Sequence, residues 1–192
     1  MNKRNKLNVN NSFLKGKTIL ITGGTGTFGE SFAEKILKIN NVKKIIIFSR
    51  DEYKQHLLAE KLKILDKRNV LRFFIGDIRD YNRLILATRG IDIVIHAAAT
   101  KYVDTSEKFA NECIDVNVVG SSNVARVSID QEIETVIGIS TDKTAPPVFN
   151  TYGLSKALME RLFTSLDDKS NTKFACVRFG NIAWSTGSVF PI

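Results

Sequence analysis

The stretch Thr22-Gly23-Gly24-Thr25-Gly26-Thr27-Phe28-Gly29 decides the fold. Before it comes Lys17–Thr22, a strand-length run centred on Ile19, Leu20 and Ile21. After it comes Phe28–Ile39, in which Phe32, Ala33, Ile36 and Leu37 recur on one helical face. A strand, a glycine turn and a helix in this order must turn tightly, admit a ligand backbone without a Cβ in the way, and pack the helix close to the sheet. Glycine meets all three needs. The helix N-terminus then presents free N–H groups and the positive end of its dipole to a pyrophosphate. Gly23, Thr25, Gly26, Thr27, Phe28 and Gly29 are therefore candidate dinucleotide contacts. The competing reading, a glycine-rich turn that binds nothing, is weakened by the flanking strand and helix.

Outward from this turn the same alternation continues. Lys43–Phe48, Val70–Ile75, Asp92–Ala97, Thr135–Ile139 and Lys173–Arg178 read as strands. Asp51–Leu65, Tyr81–Thr88 and Thr151–Leu166 read as helices, and Ser106–Ile129 as a long helical region open to a bend. Pro146-Pro147 punctuates a loop. Strands that are apolar throughout, separated by amphipathic helices, predict an α/β fold: a Rossmann-like, doubly wound parallel sheet covered on both faces. Residues 1–15, rich in Asn and Lys, read as a flexible N-terminal tail. Residues 16–192 read as one dinucleotide-binding domain.

Composition bounds the function. The chain has 192 residues, 43% hydrophobic and 25% charged, which is ordinary for a globular domain with a sizeable core. No run approaches the ~18 apolar residues that span a bilayer, and the N-terminus lacks the apolar segment of a secretory signal. Cys113 and Cys176 are far apart, as in a reduced cytoplasmic protein. The net charge of +8 fits either an acidic partner or lysines spread over solvated faces. Acidic and basic residues alternate along most helices, so no nucleic-acid stripe is visible. We expect no metal site, no membrane and no nucleic acid.

Other candidate site residues lie at the ends of strands, where ligands bind in parallel sheets. Strand two ends in Ser49-Arg50-Asp51, with Lys54 one turn on. An NAD site usually has an acidic residue here, roughly 20 residues past the last glycine, to hold the ribose 2′-OH. A hydroxyl and a guanidinium instead suit a 2′-phosphate, which favours NADP. The alternative is a solvated Arg50 and a helix cap at Asp51. After strand three, Asp77 is placed to accept from an adenine amino group with Ile78 against the ring, or else is a turn residue or cap. After strand four, Ala97, Ala98 and Ala99 let the backbone pass close to a cofactor, while His96 reads as a packed, hydrogen-bonded histidine. After strand five, Ser140-Thr141-Asp142-Lys143 concentrates acid–base groups, or is a polar loop start. Tyr152 and Lys156 are one helical turn apart and project from one face. An ammonium beside the phenol is expected to lower its pKa and make Tyr152 a general base; a chance i, i+4 pair is the bland alternative.

Taken together, GGTGTFG, FSRDEYKQ, GDIRD, HAAATKYV, STDK, YGLSK and RFGN resemble the extended short-chain dehydrogenase/reductase superfamily, and within it the UDP-N-acetylglucosamine 4,6-dehydratases of surface-sugar synthesis. The resemblance runs from about Lys17 to the C-terminus. It implies that Tyr152 takes the 4-hydroxyl proton during oxidation at C4, with NADP as cofactor. It implies that Lys143 moves the C5 proton, that Asp142 protonates the departing 6-hydroxyl, and that Thr141 bonds the substrate near O4. It implies that Lys156 binds the nicotinamide ribose, that Lys101, Thr141 and Asn181 contact substrate, and that Asn117 shapes the site. The implied partner is a UDP-sugar, and the implied assembly a homo-oligomer. Relatives carry an arginine in the stretch matching Ser185-Thr186-Gly187-Ser188; this sequence does not. The superfamily's substrate lobe would lie largely beyond Ile192. An epimerase or reductase of the same fold, and a non-catalytic NADP-binding remnant, are the alternative readings.

Overall fold

The computed structural model describes residues 11–39, 41–146 and 148–182. Six strands form one parallel sheet: β1 (Thr18–Thr22), β2 (Lys44–Ser49), β3 (Leu71–Ile75), β4 (Ile93–His96), β5 (Thr135–Thr141) and β6 (Lys173–Phe179). Their order is β3-β2-β1-β4-β5-β6, the doubly wound arrangement predicted from the sequence. The chain winds outward from β1 to β3, then returns to lay β4, β5 and β6 on the other side. With right-handed crossovers, the two halves must place their helices on opposite faces. Helices α1 (Thr27–Ile39) and α2 (Glu52–Leu62) bury Ile36, Leu37, Leu58 and Leu62 against Ile19, Ile21, Ile45 and Ile47. Helices α3 (Tyr81–Ala87), α6 (Ser121–Asp130) and α7 (Thr151–Asp167) bury Leu84, Val124, Val127, Met159 and Phe163 against Leu20, Val94 and Val136.

Three departures from the sequence expectation matter. Within the stretch expected to be a tail, Asn11–Leu14 form a 3-10 turn, and Leu14 is buried against the α1–α2 face. Strand β5 does not stop at Ile139. Pairing with β6 carries the ladder two residues further, to Thr141 opposite Phe179. The long helical region is broken into α4 (Val103–Lys108), α5 (Ala110–Ile114), a π-helical turn (Asp115–Gly120) and α6. A π-turn inserts one residue per turn and re-aims the side chains around it; here it delivers Asn117 into the interior.

The ring of Phe28 stacks between Phe32 and Phe179 at centroid distances of 5.6 and 5.8 Å. These rings line an apolar trough of about 270 Å³ with Ile95, Ile137 and Ile139. Among the described residues, those lining the trough are all apolar, and the strand-end residues of the candidate site are not among them.

Candidate active site

The strand order reverses between β1 and β4, and open α/β sheets bind ligands at such a switch point. Gly23 sits there with φ +66°, and a Cβ on it would lie 2.7 Å from the Ala98 Cα. Gly29 is equally constrained, since its Cβ would meet the Gly24 Cα at 2.5 Å. A Cβ on Gly24, which the sequence pattern did not single out, would strike the Ile47 side chain at 2.8 Å. The Gly23 and Gly24 N–H groups donate to the Phe48 carbonyl, and Gly26 N–H closes the turn on Gly23. Helix α1 then begins at Thr27, so its first-turn N–H groups face the loop. The residues present therefore fit a pyrophosphate. The Phe28 ring is in the apolar trough, so only its backbone faces the glycine turn.

At the ends of β2 and β3 the charges converge. Arg50 Nη1 stands 3.7 Å from Asp77 Oδ2, and both side chains are partly exposed. The Asp77 carboxylate is also gripped by Arg79, through its backbone N–H at 2.9 Å, Nε at 3.1 Å and Nη2 at 2.7 Å. Burial raises the Asp77 carboxyl, but Arg79 and then Arg50 outweigh it and hold it below the ordinary range. Asp77 is thus a turn residue engaged by two guanidiniums. Ser49 is buried, its hydroxyl accepting from Gln55 Nε2 at 3.0 Å. Lys54 is exposed, with Nζ 3.6 Å from Asp51, the cap of α2. Ile78 differs from expectation. Its side chain is 4% exposed, and it packs where Gly120 of the π-turn has no Cβ. It faces the core rather than the open end of the sheet.

The second cluster forms where β5 ends and α7 begins. Thr141 closes β5, and Asp142–Thr144 make one 3-10 turn. Asn150 caps α7 by accepting from Gly153 N–H at 2.7 Å. A Cβ on Gly153 would lie 2.4 Å from the Lys143 carbonyl oxygen, so only glycine lets the first turn of α7 close on that loop. Thr141 Oγ1 donates to Asp142 Oδ1 at 3.0 Å, Lys143 Nζ stands 3.3 Å from the same oxygen, and Nζ donates to Asn181 Oδ1 at 3.0 Å. The half-buried Tyr152 phenol is close enough to Thr141 and Asp142 to feel both electrostatically. Thr141 at the end of β5, Asp142 and Lys143 in the turn, Tyr152 on α7 and Asn181 just past β6 are thus brought together. Lys101 lies exposed on the β4–α4 loop, near the Tyr102 ring, its ammonium lowered by burial of part of the side chain. The Ser185–Ser188 stretch and Pro147 lie outside the described residues.

Two electrostatic expectations are overturned. Tyr152 was to be lowered by Lys156; its phenol is raised, chiefly by burial, against a smaller downward pull from Thr141. The fully buried Lys156 directs Nζ to Met159 Sδ at 3.1 Å, and burial pushes it down to about 8. The i, i+4 spacing is real, but the ammonium is packed inward. Asp142, expected to donate a proton, is held below the carboxylate range by Thr141 first and Lys143 second. At neutral pH it is the base form, with Lys143 Nζ 3.3 Å away.

Beneath the site Asn117 accepts from Thr100 N–H at 2.9 Å and donates to Ser155 Oγ at 3.0 Å, joining the β4 loop to α7. His96 is wholly buried and is pushed down to about 3 by burial, with Lys156 adding to it. Ser121 Oγ gives its proton to the Asn117 carbonyl at 2.6 Å, so it must accept from His96 Nε2–H at 2.8 Å. His96 Nδ1 then accepts from Thr22 Oγ1 at 2.8 Å. His96 is the packed histidine expected. Among the described residues no three His, Cys, Asp or Glu side chains are grouped to hold a metal, and no helix is long and apolar enough to cross a membrane.

The glycine turn at the switch point of a doubly wound sheet, with the start of α7 beside the turn after β5, defines a Rossmann-like fold with its candidate site at the sheet end. Residues 19–192 match the polysaccharide biosynthesis protein family, and the chain belongs to it. It is 42% identical over 179 residues to UDP-N-acetylglucosamine 4,6-dehydratase (inverting) from Campylobacter jejuni, covering 92% of this chain and 52% of that one. It is 44% identical over 182 residues, with the same coverage, to UDP-glucose 4-epimerase from Rickettsia akari. The solved structure of Pen from Bacillus thuringiensis superposes with a TM-score of 0.86 at 40% identity, covering 92% of this chain and 54% of that one. The chain thus spans about half the length of these relatives.

Proposed function

We propose that the chain is the cofactor-binding half of an NADP-dependent nucleotide-sugar 4,6-dehydratase that converts UDP-GlcNAc to a UDP-4-keto-6-deoxy-HexNAc with inversion at C5. The observation that carries this reading is the meeting of two separate acid–base groups, Tyr152 on α7 and the Asp142–Lys143 pair at the end of β5. A simple dehydrogenase needs one proton acceptor at the oxidised carbon. A dehydratase needs a second set of groups for C5 and C6.

When bound, NADP supplies a hydride acceptor at C4 and returns the hydride within the cycle. Tyr152 receives the 4-hydroxyl proton, with Thr141 at its oxygen orienting it. The 4-ketone acidifies the C5 proton, which Lys143 moves after giving up its own. Asp142, ionised at rest, donates to the departing 6-hydroxyl only after taking a proton, and Lys143 Nζ at 3.3 Å is placed to supply it. Lys101 and Asn181 contact substrate, and Lys156 reaches the nicotinamide ribose only once its ammonium leaves Met159. Ser49, Arg50 and Lys54 favour the 2′-phosphate of NADP over the bare ribose of NAD, in keeping with guanidinium recognition of phosphate. The free thiols Cys113 and Cys176 fit a reducing, cytoplasmic setting. The family resemblance further carries a homo-oligomeric assembly.

The epimerase name of the Rickettsia relative supports a second reading, in which C4 is inverted without loss of water. Incubation of a chain extended to the length of its relatives with UDP-GlcNAc separates them. A 4-keto-6-deoxy product without NADPH build-up is expected. A C4 epimer of unchanged mass would sink the dehydratase reading.

A further inference from the structure

We infer that Glu160 is a positioning residue for the acid–base turn, its one carboxylate holding both ends of the Lys143–Asn181 contact. Glu160 lies one turn beyond Lys156 on α7, and its side chain is 10% exposed. Its Oε1 accepts from Thr144 Oγ1 at 3.2 Å and from Arg178 Nε at 2.8 Å, and its Oε2 from Arg178 Nη2 at 2.5 Å. Thr144 is the residue after Lys143, and its single hydroxyl proton is shared between the Thr141 carbonyl at 2.8 Å, which closes the turn, and Glu160 Oε1 at 3.2 Å. Arg178 lies opposite Ser140 in the sheet, three residues before Asn181. Through Thr144 the carboxylate therefore fixes the turn that aims Lys143 Nζ. Through Arg178 it fixes the end of β6 that offers Asn181 Oδ1.

The groups around it agree. Burial raises the Glu160 carboxyl, but Arg178, helped by Thr144, outweighs burial and keeps it ionised. A two-pronged guanidinium–carboxylate pair fixes orientation as well as distance. A brace that merely pinned α7 to β6 would need Arg178 alone. The bond to Thr144 ties that brace to the 3-10 turn of the site. The catalytic consequence rests on the dehydratase reading above, while the geometric one does not.

The test begins with this chain, in which Glu160→Gln keeps the volume of the side chain and removes its charge. Trace acetylation with acetic anhydride, read peptide by peptide, measures the reactivity of the Lys143 amine, with exposed Lys38 as internal standard. Reactivity of Lys143 should rise severalfold, NADP affinity should stay within experimental error of the parent, and Glu160→Asp should restore part of the protection. Thr144→Val removes one hydroxyl only and repeats the test should Glu160→Gln fail to fold. In the extended chain with UDP-GlcNAc, deuterium uptake at C5 should fall about 10- to 100-fold, the cost of misplacing a reacting group by an ångström, while the initial oxidation persists. Unchanged Lys143 reactivity in both variants overturns the inference. A parent that never dehydrates UDP-GlcNAc overturns the dehydratase reading instead, and the labelling result still decides the role of Glu160.

Discussion

Gly153 and Lys143 are in backbone contact: a Cβ on the glycine would lie 2.4 Å from the lysine carbonyl oxygen. Helix α7 therefore cannot carry Tyr152 to the end of β5 unless this position is bare. Gly153→Ala must push the turn or the helix start aside, at a cost of about 1–3 kcal/mol for an overpacked site. Turnover of the extended chain should fall by more than NADP affinity, which the glycine turn after β1 mainly sets. Parallel measurement of melting temperature, dinucleotide binding and rate checks this, and an unaltered rate would show that the contact is slack.

Gly23 makes the corresponding prediction for the cofactor. Its φ of +66° and the 2.7 Å approach of Ala98 leave no room for a side chain. Gly23→Ala should abolish measurable dinucleotide binding in calorimetry, because the loop can no longer pass beside the backbone after β4.

Arg50 is expected to set dinucleotide preference. The parent should bind NADP more tightly than NAD, and Arg50→Asp should reverse the order, since a carboxylate repels the 2′-phosphate and accepts from the 2′-OH. Equal affinities in the parent would remove the argument from Ser49 and Arg50.

The two acid–base groups should fail separately. Lys143→Ala, in the extended chain, should suppress elimination and C5 deuterium exchange about 100- to 10,000-fold, the usual loss for a positioned acid or base. Tyr152→Phe should block oxidation itself, so no ketone forms. Dehydration at the parent rate by Lys143→Ala would make the lysine structural.

His96 predicts a pH dependence of stability. Its native pKa, about 3, lies below the ordinary 6.5, so between these values the unfolded chain binds a proton that the native chain refuses. Stability contributed by the neutral ring is complete above pH 6.5 and declines as pH falls below it. Urea midpoints measured from pH 7 to 5 should fall, and His96→Asn should flatten that slope. A slope identical in the variant would place the acid sensitivity elsewhere.

The sequence by itself determined the doubly wound sheet, the glycine cradle and the spacing of Tyr152 and Lys156. Each of these is written in near neighbours: apolar runs of strand length, a turn that only glycine can make, a helical period of four. Tertiary structure decided everything that depends on what a side chain meets across the sheet. It continued β5 to Thr141 because β6 lies alongside. It turned Lys156 inward to Met159 and raised Tyr152 by burial, reversing the charge logic that spacing alone implied. It sent Ile78 into the core and Phe28 into the trough. Gly153 and Glu160 were in plain view, the latter four residues past Lys156, yet nothing local marks them. Their roles arise from Lys143 and Arg178, distant in sequence and adjacent only once the sheet is formed, because burial and hydrogen-bond partnership are properties of the packed chain.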